Sequence, residues 1–160
     1  MTCSAVIGLL AVIFSPHADR YMLSQGLGLT PVSKGDKNTL ASIAEERKIC
    51  PIIFYREGLN TTVTVQDFPK NNVRVLKNDG KVEAAIPLDV ADTAPTSDYK
   101  TQILLGFLPY ILSSKDKKNC FVIGCGSGAA YGALAEQKNV LKMTVAEIEK
   151  VVFEASRLFL

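Results

Sequence analysis

The sequence predicts an α/β protein in which a small antiparallel β-module precedes the first βαβα part of a Rossmann-like fold. Two observations predict this class. Short runs that alternate β-branched and polar residues are joined by Asn78-Asp79-Gly80, a strong signal for a β-hairpin. Further on, the apolar run Phe121-Val122-Ile123 leads directly into a glycine loop, a helix pattern and a second apolar run. That order is typical of a nucleoside-binding βαβ unit.

The sequence pattern of the first half of the chain predicts one short helix and four short strands. We expect the helix over Thr39–Lys48, where alanines accompany polar residues. The strands follow from apolar or alternating runs bounded by turn residues. Their predicted ranges are Ile52–Arg56, Thr61–Asp67, Val73–Lys77 and Val82–Ile86. Before the helix, Ser15–Lys37 reads as a loop because prolines, glycines and serines are spread along it.

The glycine loop is the candidate binding site. Gly124, Gly126 and Gly128 allow the backbone to turn tightly and to approach a ligand closely. Glu147 ends the second apolar run about 20 residues further on, where an acid can accept hydrogen bonds from ribose hydroxyls. A glycine loop followed by an acid at this spacing predicts a site for a nucleoside.

Two apolar helices flank this unit. Tyr99–Ser113 is apolar almost all the way round, which predicts a helix buried on most sides, and Pro109 should kink it or end its first half. Gln102 is the unusual polar residue of this helix, and either a solvent-facing or a binding role fits it. Glu149–Leu160 is the last predicted helix, and Lys115–Lys118 reads as a solvated loop.

Composition excludes several classes of function. Of 160 residues, 48% are apolar and 21% are charged, and the net charge is +2 without a basic stripe, which disfavours nucleic acid as a partner. The four cysteines form no CxxC pair and have no histidine at ligand spacing, so we expect no metal. Reduced thiols favour a cytoplasmic location.

The apolar run Ser4–Phe14 is too short to span a bilayer, which takes roughly 20 residues, and lacks the positive flank of a signal peptide. A buried helix, an interfacial anchor and the end of a truncated membrane helix all remain open. The protein could therefore be membrane-associated through residues 4–14.

We divide the chain into residues 1–37 (apolar segment and loop), 38–97 (helix and β-module) and 98–160 (start of the nucleoside-binding domain). A doubly wound sheet needs more than the two strands found after residue 98, and a two-stranded sheet is marginal alone. We therefore expect a fragment, or a sheet completed by another copy or polypeptide, and a homo-oligomer.

Several quoted motifs together resemble the spermidine/spermine synthase family. They are FYREG, TVTV, a hairpin around NDGKVEA, TQILLGFLP, CFVIGCGSGAAYGAL and VAEIEKVVFEASRLF. The resemblance runs from about Ile52 to Leu160, and is greatest to members whose synthase-like domain follows a multi-spanning membrane module. In those members a hydrophobic helix precedes the domain, as Ser4–Phe14 would here.

The resemblance implies a methyltransferase-like Rossmann domain that transfers an aminopropyl group from decarboxylated S-adenosylmethionine to an amine such as putrescine. It implies that Gly124, Gly126 and Gly128 bind the donor nucleoside and that Glu147 binds its ribose. Gln102 matches the glutamine or histidine of the family's active-site helix.

Three departures from the family pattern bear on this assignment. Ser127 stands where the family has an aspartate that pairs with the donor's amine, and a hydroxyl forms no such charge-assisted bond. Thr101 and Ile103 replace the tyrosine and glutamate beside the family's glutamine. The family's catalytic aspartates fall beyond Leu160, so the catalytic residues are unknown, and we expect half a donor site rather than complete catalytic machinery.

Two alternatives stay open. One is a methyltransferase-like enzyme that uses ordinary S-adenosylmethionine, which Ser127 favours. The other is a non-catalytic nucleoside-binding or interaction module. A site for NAD is weaker: Gly124, Gly126 and Ala129 satisfy the loose GxGxxG/A pattern, but the preceding β-module fits it poorly.

Overall fold

The structure, a computed structural model, describes residues 19–26, 39–89 and 97–159. The apolar run 4–14 lies outside the described residues. Within the described ranges, no helix has both the length and the apolar character needed to cross a bilayer. The mixed α/β fold class predicted from the sequence is confirmed, with one antiparallel and one parallel sheet.

The first part of the chain forms a four-stranded antiparallel sheet in the order β1-β2-β3-β4. Two helices precede it, and a 3-10 turn at Pro69–Asn71 joins its second and third strands. The elements are α1 (Arg20–Ser24), α2 (Thr39–Ile49), β1 (Ile52–Glu57), β2 (Thr62–Phe68), β3 (Val73–Asn78) and β4 (Lys81–Pro87).

The second part contains a two-stranded parallel sheet, β5-β6, with helices around it. Its last helix continues into a 3-10 turn at Arg157–Phe159. The elements are α3 (Ser97–Leu112), β5 (Lys118–Ile123), α4 (Ala129–Ala135), β6 (Val140–Ala146) and α5 (Lys150–Ser156).

The hairpin between β3 and β4 forms as predicted. Asp79 and Gly80 have φ values of 49° and 79°, the two consecutive positive values that a type I′ turn requires. The Asp79 carboxylate also accepts a hydrogen bond from the Thr62 amide at 2.8 Å, which ties the turn to β2. Asp-Gly therefore fixes the register of this hairpin.

One face of the four-stranded sheet forms the core with the second part of the chain. Because side chains alternate along a strand, β2 places Val63 and Val65 on the same face. These two valines, both with 0% of their surface exposed, join a buried cluster with α5 and the glycine loop. The cluster members are Val63, Val65, Leu76, Ala84, Cys125, Val151, Val152 and Ala155. Packing against α5 thus places the β-module beside the glycine loop.

The opposite face of the sheet is polar and yet buried. Lys77, with 5% of its surface exposed, donates a hydrogen bond to Gln66 Oε1 at 2.7 Å, and its ammonium lies 5.3 Å from the centre of the Phe68 ring. Gln66 Nε2 donates to the Cys50 carbonyl at 3.1 Å and to the Tyr21 hydroxyl at 3.3 Å. Helix α1 covers this face, since Tyr21 is buried against it.

The structure corrects five sequence-based expectations. Helix α3, expected to be buried on most sides, packs against α4 and β4 and leaves other apolar side chains exposed, among them Leu105 at 68% and Leu112 at 83%. The predicted loop Ser15–Lys37 includes helix α1, whose start is capped by the Asp19 carboxylate. Helix α3 does not end at Pro109: it runs to Leu112, and the Ser113 amide still bonds the Pro109 carbonyl at 3.2 Å. Lys118, expected in a loop, is the first residue of β5. The last helix ends at Ser156 and gives way to the 3-10 turn.

Helices α3 and α4 pack closely at Gly106. A Cβ placed there would lie 2.3 Å from the carbonyl oxygen of Ala130, which is backbone and cannot move aside easily. Gly132, also helical, has no atom within 4 Å of the same built position. Close packing therefore requires glycine at position 106 and not at position 132.

The buried Lys77 should make stability depend on pH. Burial lowers the pKa of the Lys77 ammonium below its ordinary 10.5. At pH values between the lowered pKa of folded Lys77 and 10.5, the unfolded chain binds more protons than the folded chain. The contribution of Lys77 to the unfolding free energy therefore rises with pH in this interval. We expect the unfolding free energy of wild type minus that of Lys77→Met to increase by up to about 1.4 kcal/mol per pH unit in this interval.

Urea unfolding from pH 7 to 10 measures this difference. Tyr21, whose pKa burial raises to about 12, and Cys50 are common to both proteins, so their titrations cancel to first order. Lys142→Met, at an exposed strand lysine, is the matched control and should keep the wild-type profile. A Lys77→Met profile parallel to wild type would contradict the prediction.

The α3–α4 contact gives a second stability prediction. Gly106→Ala should lower the unfolding free energy by about 1–3 kcal/mol, the range for overpacking a filled site. Gly132→Ala should instead raise it by up to about 1 kcal/mol, because alanine favours a helix over glycine and meets no atom. Chemical denaturation of both variants measures these changes, and equal effects at the two positions would rule out the close contact.

Candidate functional site

The loop between β5 and α4 has a backbone that favours glycine at three positions. Gly124, Gly126 and Gly128 have φ values of 89°, 51° and 94°, a region that side chains disfavour. At Gly124 and Gly126 no atom lies within 4 Å of where a Cβ would stand, so the side-chain volume that glycine omits is open space. The Gly124 amide bonds the Ala146 carbonyl at 2.8 Å, which joins the loop to the end of β6. The result is a bend with free space at its surface.

Glu147 lies opposite this bend. One oxygen of its carboxylate accepts a hydrogen bond from the Cys125 amide at 2.7 Å, and the other accepts one from the Glu149 amide at 2.9 Å. The two strands are parallel neighbours, so the loop after β5 and the acid after β6 emerge at the same edge of the sheet. The predicted proximity of acid and glycine loop is therefore present.

Gln102 and Ser127 contact each other directly. The Ser127 hydroxyl, in a residue with 3% exposed surface, donates to Gln102 Oε1 at 2.7 Å. Gln102 Nε2 donates to Asp98 Oδ2 at 2.6 Å, and the same oxygen accepts a hydrogen bond from the Ala85 amide at 2.7 Å. Asp98 thus anchors a hydrogen-bonded chain that begins on β4 and ends on the glycine loop.

A cavity of about 730 Å³ lies between α3, β5 and the glycine loop. Of the predicted site residues, Gln102, Gly124, Gly126 and Ser127 line it. Glu147 contacts the loop outside this lining, and Gly128 occupies the start of α4. Volumes of roughly 300–1,000 Å³ are typical of small-molecule sites.

A second acid, Glu149, supports the first and was not expected as part of the site. With 4% of its surface exposed, it accepts hydrogen bonds from the Val151 amide at 3.3 Å and from the Asn60 amide at 2.9 Å. The bond from the Asn60 amide holds the pKa of the Glu149 carboxyl below its ordinary value. The acid just before a helix was readable as a cap, whereas nothing in the sequence near Asn60 signals the contact across 89 residues.

Among the described residues, no group of three or more His, Cys, Asp or Glu side chains is arranged to hold a metal ion. The Cys125 thiol instead lies 3.5 Å from the Tyr131 hydroxyl, and burial raises the pKa of Tyr131. Within the described residues, the charged side chains that line the cavity beside the loop are Glu83 and Lys118.

Comparison with known proteins gives a structural likeness without a sequence match. No protein-family model and no curated protein matches the chain. Solved structures of similar fold include a spermidine synthase from Thermotoga maritima and a spermidine synthase in complex with the transition-state analogue AdoDATO, each with a TM-score of 0.53 and 18% identity. A probable spermidine synthase from Corynebacterium glutamicum has a TM-score of 0.51 at the same identity.

These three matches each cover 68% of this chain and 34%, 33% and 40% of the respective neighbours. The chain therefore spans well under half the length of these structural neighbours. At this level of identity the likeness concerns the fold. Over the matched residues, the chain has the spermidine synthase-like methyltransferase fold.

Proposed function

We propose that this chain provides the donor-binding half of an aminopropyltransferase site of the spermidine synthase type. Its donor would be decarboxylated S-adenosylmethionine, and its acceptor an amine such as putrescine. The observation that supports this most is the Glu147 carboxylate beside a glycine bend with open space at Gly124 and Gly126. One structural neighbour is a spermidine synthase in complex with the transition-state analogue AdoDATO, and this likeness of fold supports the proposal.

Glu147 retains capacity to bind a ribose. Each carboxylate oxygen accepts one backbone hydrogen bond here, and each has a second lone pair available. Two vicinal hydroxyls of a ribose can donate to those lone pairs without displacing the Cys125 or Glu149 amide. The acid would thus hold the loop and the sugar at the same time.

The neighbouring polar chain favours a cationic donor group over an anionic one. Because Asp98 can only accept, Gln102 must turn Nε2 toward Asp98 and Oε1 toward Ser127. The Ser127 hydrogen is used on Gln102, and its oxygen accepts a hydrogen bond from the Ala129 amide at 3.4 Å, which leaves one lone pair as an acceptor on a residue that lines the cavity. Acceptors suit the ammonium of an aminopropyl group, whereas the extra carboxylate of S-adenosylmethionine would need donors.

In the proposed reaction, the sulfonium group of the donor is the leaving group. The deprotonated nitrogen of the acceptor amine attacks the carbon next to the sulfonium. A nitrogen–carbon bond forms, the carbon–sulfur bond breaks, and its electron pair leaves with sulfur as a neutral thioether, 5′-methylthioadenosine. The new ammonium then releases one proton to solvent. In this chain Glu147 and the loop would orient the donor, which is the positioning contribution to such a step.

A methyltransferase-like use of S-adenosylmethionine is the second candidate, and Ser127 in place of an aspartate is the observation that favours it. A binding module without catalysis is the third. The predicted homo-oligomer and cytoplasmic location also remain proposals. The membrane tether remains a proposal as well, because residues 4–14 lie outside the described part of the chain. The donor measurements below distinguish the three functions.

The ribose role of Glu147 is tested by Glu147→Gln. A hydrogen bond to a charged group contributes about 1.5–3 kcal/mol, so its loss should weaken nucleoside binding roughly 10- to 100-fold. The loss should be similar for decarboxylated S-adenosylmethionine and for 5′-methylthioadenosine, because both contain the ribose. Titration calorimetry measures the affinities. Glu136→Gln, an exposed acid at the end of α4, is the control and should bind as wild type does.

Donor preference tests the acceptor chain. We expect wild type to bind decarboxylated S-adenosylmethionine at least about 10-fold more tightly than S-adenosylmethionine, a difference of about 1.4 kcal/mol. Asp98→Asn should reduce that ratio, because an amide no longer fixes the orientation of Gln102. Asp116→Asn, in an exposed loop, should leave the ratio unchanged. Preference for S-adenosylmethionine would favour the methyltransferase-like function, and heat from neither donor would favour the non-catalytic module.

A further inference from the structure

Glu149 connects the candidate ribose site with the β-module through three hydrogen bonds and caps α5 with a fourth. Its side chain accepts from the Asn60 amide at 2.9 Å, from Asn60 Nδ2 at 3.4 Å and from the Val151 amide at 3.3 Å. Its own amide donates to Glu147 Oε1 at 2.9 Å. One buried residue thus contacts the β1–β2 turn with its carboxylate and orients the ribose acid with its backbone.

The β1–β2 turn sits directly against this carboxylate. A Cβ at Gly58 would lie 2.4 Å from the carboxylate carbon of Glu149, so a larger residue would displace one or the other. The Gly58 amide bonds the Thr61 carbonyl at 2.9 Å, which closes the turn. The position of Glu149 is therefore fixed by the turn on one side and by its cap bond to α5 on the other.

We infer that Glu149 is a positioning residue for the nucleoside site, through which the β1–β2 turn holds Glu147 toward the glycine loop. This inference rests on the proposed function, since it assigns the role to the same ribose acid. If the turn contact is lost, the peptide between Glu147 and Glu149 loses its anchor. The Glu147 carboxylate then loses the amide that fixes one of its two oxygens, and binds a ribose less well.

Three substitutions test the contacts of Glu149, and one of them, Glu149→Asp, separates the cap bond from the turn contact. Glu149→Gln replaces one acceptor oxygen by an NH₂ group. This group is a donor, so it cannot accept the hydrogen bond from the backbone amide of either Asn60 or Val151. Glu149→Asp is one methylene shorter, so it can still cap α5 from the same position, as aspartate commonly does, while withdrawing from Asn60. Gly58→Ala tests the same contact from the other side, because it moves the carboxylate without removing it.

The structure offers a matched control at the same interface. Glu154 on α5 forms an ion pair with Arg56 on β1, so it also joins the β-module to the second part of the chain. Among the described residues, Glu154 forms no hydrogen bond or ion pair with Glu147 or the glycine loop. Glu154→Gln therefore weakens the interface without touching the proposed route.

The experiment measures 5′-methylthioadenosine affinity by calorimetry and the melting temperature of each full-chain variant. We expect Glu149→Asp, Glu149→Gln and Gly58→Ala to weaken binding about 10-fold, while Glu154→Gln lowers the melting temperature without changing affinity. Wild-type affinity in folded Glu149→Asp, or an equal loss in Glu154→Gln, would overturn the inference. If one of the three variants Glu149→Asp, Glu149→Gln and Gly58→Ala does not fold, the affinities of the other two are compared with that of Glu154→Gln.

A second readout does not need the nucleoside. The exchange rate of the Asn60 amide proton, followed by NMR, should increase at least severalfold in Glu147→Gln, because the two acids are coupled through the Glu149 amide. An unchanged Asn60 rate would overturn the positioning role even if the nucleoside binds. If wild type does not bind 5′-methylthioadenosine but the Asn60 exchange rate increases in Glu147→Gln, the proposed function is rejected. The coupling between Glu147 and the β1–β2 turn is then still established.

Discussion

The hydrogen bond from the Cys125 amide to the Glu147 carboxylate is the interaction on which the candidate site depends. A bend of glycines at positive φ has few side-chain contacts to stabilise it, so its shape must come from backbone partners. Parallel pairing provides them: the Gly124 amide bonds the end of β6, and the acid that follows β6 receives the next free amide of the bend. The pairing of β5 with β6 therefore determines the shape of the loop and also places Glu147 beside it.

The β-module contributes to the site although it lies outside the βαβ unit. It contacts the unit by burying apolar side chains of β2 and β3 against α5, which is non-directional and sets only an approximate position. Directional contacts refine it, and those closest to the site are the bonds from the Ala85 amide to Asp98 and from the Asn60 amide to Glu149. The buried Glu149 carboxylate and the half-buried Asp98 carboxylate thereby each accept a hydrogen bond from a backbone amide of the module. Changes in the module should therefore reach the glycine loop through hydrogen bonds rather than through packing alone.

Local patterns predicted most of this architecture, because strand alternation, Asp79-Gly80 and the glycine loop each act within a few residues. The fold class is confirmed for that reason. Helix α1 was missed because its five residues contain no period; it forms where Tyr21 and Ser24 are buried on the polar face of the sheet. The bond from Ser127 to Gln102 was also not predictable as geometry, since it joins residues 25 positions apart. Tertiary contacts decided both, and sequence spacing does not encode them.

The serine at position 127 changes where negative charge lies rather than removing it. The resemblance to the synthase family implies an aspartate at this place, in direct contact with the donor's amine. Here the nearest carboxylate along the hydrogen bonds is Asp98, and the amide of Gln102 lies between it and the Ser127 hydroxyl. A carboxylate at 127 would place a second negative charge close to Asp98 in a buried setting, where like charges oppose ionisation. One carboxylate with two polarised neutral groups avoids that repulsion and still presents acceptors to a cation. Under the proposed function, recognition of an aminopropyl group would therefore depend on Asp98 keeping Gln102 in this orientation rather than on the family's aspartate.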